Sequence, residues 1–192
     1  MFKNINNKLI INSNGTVIIE LVFVVTIIAL FIKLLLSVAA YNSTVGKLDR
    51  ISYSIAGIVR ERVKLYSNDN VLTQEQVNQL RLLTEQMLLN SGTPYNNVAM
   101  RIETLHFNDT DSSEPEHKTI DDEKSVSLSS GNCQPAQLLR DMSDLSPYGN
   151  TGRWIPLYQV TICLPTIPWY SNLFSTDVSV PAIKSSAITI ER

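Results

Sequence analysis

GTVIIELVFVVTIIALFIKLLLSVAAY, residues 15–41, decides how the rest of the chain is read. From residue 16 it offers about 26 mostly apolar residues, enough at ~1.5 Å per residue to cross a hydrocarbon core of ~30 Å. This predicts a membrane-spanning helix. Ahead of it lies MFKNINNKLIINSNG, residues 1–15, whose only charges are Lys3 and Lys8. Basic residues on that side place the leader in the cytoplasm and the chain beyond the span outside. Two charges interrupt the apolar run. Lys33 is roughly 26 Å along the helix, near the far interface, where a lysine can snorkel to water. Glu20 is only four residues past Thr16, and intramembrane carboxylates cost about 2.5–3.5 kcal/mol unless paired. A glutamate at headgroup level, favoured by the helix dipole, is the plainer alternative.

The helical pattern continues past the span. Val38, Tyr41, Val45, Leu48, Ile51, Ile55, Ile58 or Val59, Val63 and Tyr66 recur in steps of three and four without a proline break. One helix over residues 16–66 is predicted, roughly 75 Å long, apolar all round in its first half and amphipathic in its second. That continuity argues against a cleaved secretory signal, although Ser37-Val38-Ala39 has the small-x-small form of a signal-peptidase site. A second helix is marked by Thr73 and Gln76 as a capping box, with Leu72 and Val77 as a hydrophobic staple. Val77, Leu80, Leu83 or Thr84, and Met87 give its inner face, and Asn90, Gly92 and Pro94 its end.

Beyond residue 97 the pattern turns strand-like. Residues 98–105 and 155–164 read as strands, residues 125–128 as a short edge strand, and residues 178–190 as two short runs separated by Pro181 and Lys184. The fold class expected is α+β: a long N-terminal helix, a second helix packed back on it, and a small antiparallel sheet of three or four strands. The expected organisation is a leader over 1–15, a transmembrane segment over 16–41 and an exported domain over 42–192.

Two resemblances sharpen this. Gly15-Thr16-Val17-Ile18-Ile19-Glu20-Leu21 resembles the processing site of type IV prepilins and their relatives, in which a membrane aspartic peptidase cuts after the glycine. The cut would fall between Gly15 and Thr16 and make Glu20 the fifth residue of the mature chain. The resemblance implies that Glu20 pairs with the α-amine freed on Thr16 of a neighbouring subunit, a charge pair that sets axial register. Thr16 stands where the best-known type IV pilins often carry phenylalanine, which weakens the likeness to that branch and fits better with the Tad (tight adherence) branch, where the residue after the glycine varies more. LDRISYSIAGIVRERVKLY, residues 48–66, followed by LTQEQVNQL, residues 72–80, resembles the TadF minor pseudopilins of that branch. The likeness covers roughly residues 14–90. It implies a structural subunit without catalytic activity or cofactor, in the bacterial inner membrane with its C-terminal domain in the periplasm. The implied partners are a prepilin peptidase, a TadE-like paralogue, the major pilin and the inner-membrane assembly platform. The implied end is a Flp-type pilus used in adhesion and biofilm formation.

The remaining residues are read for chemistry. Formal charge is -2 and 18% of residues are charged, which gives no electrostatic basis for nucleic acid binding. The two cysteines, Cys133 and Cys163, form no CxxC or Cys/His cluster, so no structural zinc site is expected. On an exported chain a single disulfide is the natural reading. Asp109, Asp111 and Glu114 lie in an acidic loop, residues 108–124, without the spacing or glycine of an EF-hand; a solvated loop is expected rather than a calcium site. His106 and His117 are the only histidines, and no nucleophile, metal or phosphate motif accompanies them. Trp154, Trp169, Tyr158 and Tyr170 are read as core and interface aromatics rather than as a carbohydrate groove. The alternatives are an uncleaved single-pass interaction or sensor domain and, further off, a membrane-anchored hydrolase.

Overall fold

The computed structural model describes residues 13–65, 72–92, 97–165 and 183–191. It divides into two compact units, Met1–Ser43 and Thr44–Arg192. Helix α1, Ser13–Leu65, contributes to both. In the first unit it is a helix with no described side chain buried, as a residue set that is apolar all round requires of a lone span. Helix α2 is Gln74–Asn90. The strands are β1, Ala99–Phe107; β2, Ile120–Asp121; β3, Ser127–Ser130; β4, Leu157–Leu164; and β5, Ile183–Ile190. Two 3-10 helices, Pro115–His117 and Leu139–Leu145, lie in the connections. The class is α+β, as expected.

All pairings are antiparallel. The order is β2-β1-β4-β5, with β3 also on β1, beside β2 along the same edge. The sheet is thus larger than the three or four strands expected. β2 falls inside the acidic loop, where its two residues carry no strand pattern and pair only because β1 supplies His106 and Phe107 as partners. The edge strand lies two residues later than predicted, because Ser125 and Val126 approach β1 through Ser125 Oγ, which accepts from His106 N–H, and through Val126 O. The run from Ile183 is one uninterrupted strand through Lys184, whose side chain is exposed. The run expected before Pro181 lies outside the described residues, as does Tyr66.

One face of the sheet holds the main core. Met100 and Ile102 of β1, Tyr158, Val160, Ile162 and Leu164 of β4, and Ile183 and Ala187 of β5 join Leu48, Ile51, Ile55, Ala56 and Val59 of α1. This settles Val59 as the buried choice, with Ile58 partly buried; Val38 and Tyr41, on the same predicted stripe, are exposed. Small residues bring α1 close to β5. Ser52 Oγ and Ser185 Oγ are 2.8 Å apart and buried, and Thr189 Oγ1 donates to Ala56 O at 3.4 Å. Residues ascend together along both elements at these contacts, so α1 and β5 run in the same sense.

α2 joins the same core through Leu72, Val77, Leu80 and Leu88, and lies against β3 and β1. Thr84, not Leu83, is buried, with its hydroxyl returned to Leu80 O at 2.8 Å. The predicted N-terminal box is present: Thr73 Oγ1 accepts from Gln76 N–H, and Gln76 Oε1 accepts from Thr73 N–H at 3.1 Å. Thr73→Ala is expected to cost about 1 kcal/mol, read as a shift of the urea midpoint at constant slope. No shift would mean that the first turn is held by packing of Leu72 and Val77 alone.

The second face of the sheet is covered by the connection from β3 to β4. Leu139 and Trp154 pack on Leu105, Phe107 and Leu157. All eight residues of β4 are buried for this reason, including Gln159 and Thr161. The Gly131 backbone, at φ +85, turns into this connection so close to β1 that a Cβ would stand 2.9 Å from the Cβ of Ala99. Glycine is required there.

Candidate membrane anchor and assembly segment

The anchor is built from the exposed apolar stretch of α1. Side chains from Val17 to Val38 are open on every side of the helix, including Phe23 at 67% and Leu35 at 66%. The most apolar 18-residue window has a mean hydropathy of 2.8. Its hydroxyls do not break the apolar surface. Thr26 Oγ1 donates to Val22 O at 2.8 Å, and Ser37 Oγ to Lys33 O at 2.9 Å. Each polar hydrogen is thereby returned to the helix's own backbone, which is what lipid demands of it.

Gly15 and Thr16 sit in the first turn of α1, which begins at Ser13, three residues before the expected start. That turn is held by few backbone bonds, because the first N–H groups of a helix have no partner within it. Opening it to an extended form is correspondingly cheap. Glu20 follows four residues after Thr16 and is exposed. Lys33 lies thirteen residues beyond Glu20, about 20 Å along the axis. Glu20 and Lys33 are therefore towards opposite ends of the apolar stretch and cannot serve each other within one chain.

Cys133 and Cys163 are joined in a disulfide, with Cα atoms 5.6 Å apart and both residues 2% exposed. It ties the start of the covering connection to β4. Two further attachments hold that connection, and no local motif signals either. Glu103 of β1, 6% exposed, accepts from Leu139 N–H at 3.0 Å, Arg101 Nε at 3.0 Å and Ser127 Oγ at 3.1 Å. Three donors compensate the burial of its carboxylate. Lys118 Nζ donates to Ser143 O and Ser146 O at the end of the 3-10 helix. It also stands 4.3 Å from the ring centre of Trp154 and 4.7 Å from that of Phe107. Burial lowers the Lys118 pKa, opposed by the nearby Asp144 carboxylate.

Trp154 and Tyr158 are 8% and 1% exposed, with Lys118 over the first and the His106 ring edge-on to the second. They are core residues with no open face for a sugar. Trp169 and Tyr170 lie outside the described residues. Among the described residues no group of three His, Cys, Asp or Glu comes together as a metal site. In the acidic loop Asp121 is bonded to Lys124 at 2.9 Å and Asp122 to Arg140.

A family model described as "Putative tight adherence pilin protein F" matches residues 8–192. The chain belongs to the TadF family. The match runs through the sheet to the last residue, far beyond the helical part on which the sequence likeness rested. No curated protein and no solved structure matches the chain. TadF is a pilin family, so the chain is a pilin related to the Tad pilus, and its one long apolar helix fits a single-pass membrane anchor.

Proposed function

We propose that this TadF-family chain is a minor pseudopilin, a non-catalytic subunit that supports assembly of a Tad/Flp-type pilus for adhesion and biofilm formation. The observation that carries the reading is the beginning of α1: an apolar helix surface open all round follows directly on Gly15, and Glu20 stands where the fifth residue of a processed chain would be. A prepilin peptidase cuts between Gly15 and Thr16. The cut removes Lys3 and Lys8 and leaves a cationic amine at the head of a helix whose first turns carry one carboxylate. The domain remains on the periplasmic side of the inner membrane until the subunit joins the fibre. There it works with a TadE-like paralogue, the major pilin and the assembly platform.

The intact mass of the chain, isolated from cells with and without the peptidase, tests this. The expected result is loss of residues 1–15 only when the peptidase is present. A chain that keeps Met1 in its presence overturns the reading and favours an uncleaved membrane-anchored interaction domain.

A further inference from the structure

We propose that the outward face of α2 pairs with the same face of a second copy of this chain, as a short parallel coiled coil. Val77, Leu80, Thr84 and Leu88 are the buried side of the helix. Among the described elements, α2 lies against β3 and β1. Down the middle of the opposite side run Glu75, Gln79, Leu82, Gln86 and Leu89, all exposed. Leu82 is 57% exposed and Leu89 55%. Their spacing is four, three, four, three. That is the heptad step of a coiled-coil seam, with Gln79 and Gln86 at a and Leu82 and Leu89 at d. Leu83, also exposed, flanks the seam at e. Glu75 is the one charge on the seam, and it stands in the first turn of the helix. Glu85, on the other flank, is held by Arg81 at 2.5 Å.

The composition selects the partner. A seam of leucine and amide, with its charges at the flanks, offers nothing to a charged partner and matches its own copy. A side-chain amide carries both donors and an acceptor, so Gln79 and Gln86 each bond their counterpart across the seam. Leu82 and Leu89 each pack on theirs. Only parallel alignment in register sets like on like. Antiparallel alignment sets a against d, which places leucine over each amide and costs its hydrogen bond. A polar amide at a is also the residue that fixes register and strand number at some cost in stability.

The size of the seam says where it forms. The helix has 17 residues, or roughly two and a half heptads. Two such helices bury well under ~1,200 Å², the weak end of specific interfaces. The pair therefore needs a raised local concentration. The apolar stretch of α1 supplies it by confining copies to one membrane.

The test uses the full-length chain in membranes. Cys133 and Cys163 are bonded to each other, so a single introduced thiol reports alone. Leu82→Cys and Leu89→Cys are each expected to give a linked homodimer on mild oxidation, identified by intact mass. The yield should be at least about tenfold above that of Leu138→Cys, an exposed position on the covering connection. Linking of each residue to its own copy at both layers requires the parallel register. Adding Leu89→Glu to Leu82→Cys should abolish the link and leave the urea midpoint of the domain unchanged, because Leu89 lies outside the core. Equal yields at positions 82 and 138 overturn the pairing, and so does a linked species that contains a different subunit. Leu82→Cys that resists a maleimide in the reduced, detergent-dispersed chain also overturns it, since another part of the same chain then covers the face. None of these outcomes depends on the cut after Gly15, so the pilin reading is tested separately.

Discussion

Serine at both Cys133 and Cys163 is expected to lower the stability of the α+β domain by about 3–4 kcal/mol, the chain-entropy value for a loop of this size. The bond spans a sequence separation of 30 and closes the connection that covers the second face of the sheet. Domains of this kind hold only about 5–15 kcal/mol in reserve, so the loss is a large share of the total. Unfolding is nevertheless not expected. The connection keeps two attachments independent of the disulfide, Leu139 N–H on Glu103 and the Lys118 ammonium on Ser143 O and Ser146 O. Leu139 and Trp154 also remain packed on Leu105, Phe107 and Leu157. Urea unfolding of the double variant, monitored by tryptophan fluorescence, should therefore give a lower midpoint and a signal that still reports a buried Trp154. A change below about 1 kcal/mol would show that the side-chain attachments alone hold the connection. Combining the double variant with Glu103→Ala should then cost more than the sum of the parts, because both changes release the same segment.

Which features were legible in the sequence follows from how local their causes are. Thr73 and Gln76 act across three residues, so the start of α2 was readable from its own letters. The apolar stretch behind Gly15 is equally local, since composition alone fixes that it cannot be a solvated helix. The core stripe of α1 was readable up to the choice between neighbours. Val59 over Ile58, and Thr84 over Leu83, depend on where the sheet lies, which no helical period encodes. The covering connection was the least readable part. Its 3-10 helix, Leu139–Leu145, has no amphipathic period, and what holds it down is a glutamate on β1 and a lysine from the acidic loop, respectively 36 and 25 or more positions away in sequence. Lys118 and Glu103 look like ordinary surface charges in a row of letters. Only the partners brought to them by folding make Glu103 a buried anchor and Lys118 a half-buried one.

Glu20→Ala should move two measurements in opposite directions. Removing a carboxylate from the membrane-spanning stretch relieves an insertion cost of about 2.5–3.5 kcal/mol, so the single chain should insert at least as well as wild type. Incorporation into a fibre should nevertheless fall about tenfold or more, because the amine on Thr16 of the adjoining subunit then enters the apolar bundle without its counter-charge. The cut after Gly15 should be unaffected. Glu20→Asp keeps the charge on a shorter arm and should give an intermediate yield. A glutamate that only answers the helix dipole predicts something else. Its removal would cost about 0.3–1 kcal/mol within one chain and leave assembly untouched. Insertion and assembly scored in the same cells therefore separate the two roles. If assembly stays at the wild-type level, Glu20 is a headgroup-level charge and register must come from elsewhere on the subunit. Lys33 is no substitute, since about 20 Å of helix separates it from the end where the new amine is formed. Within the span, Glu20 is the one carboxylate near enough to Thr16 for a neighbour's amine to be matched at a fixed axial offset.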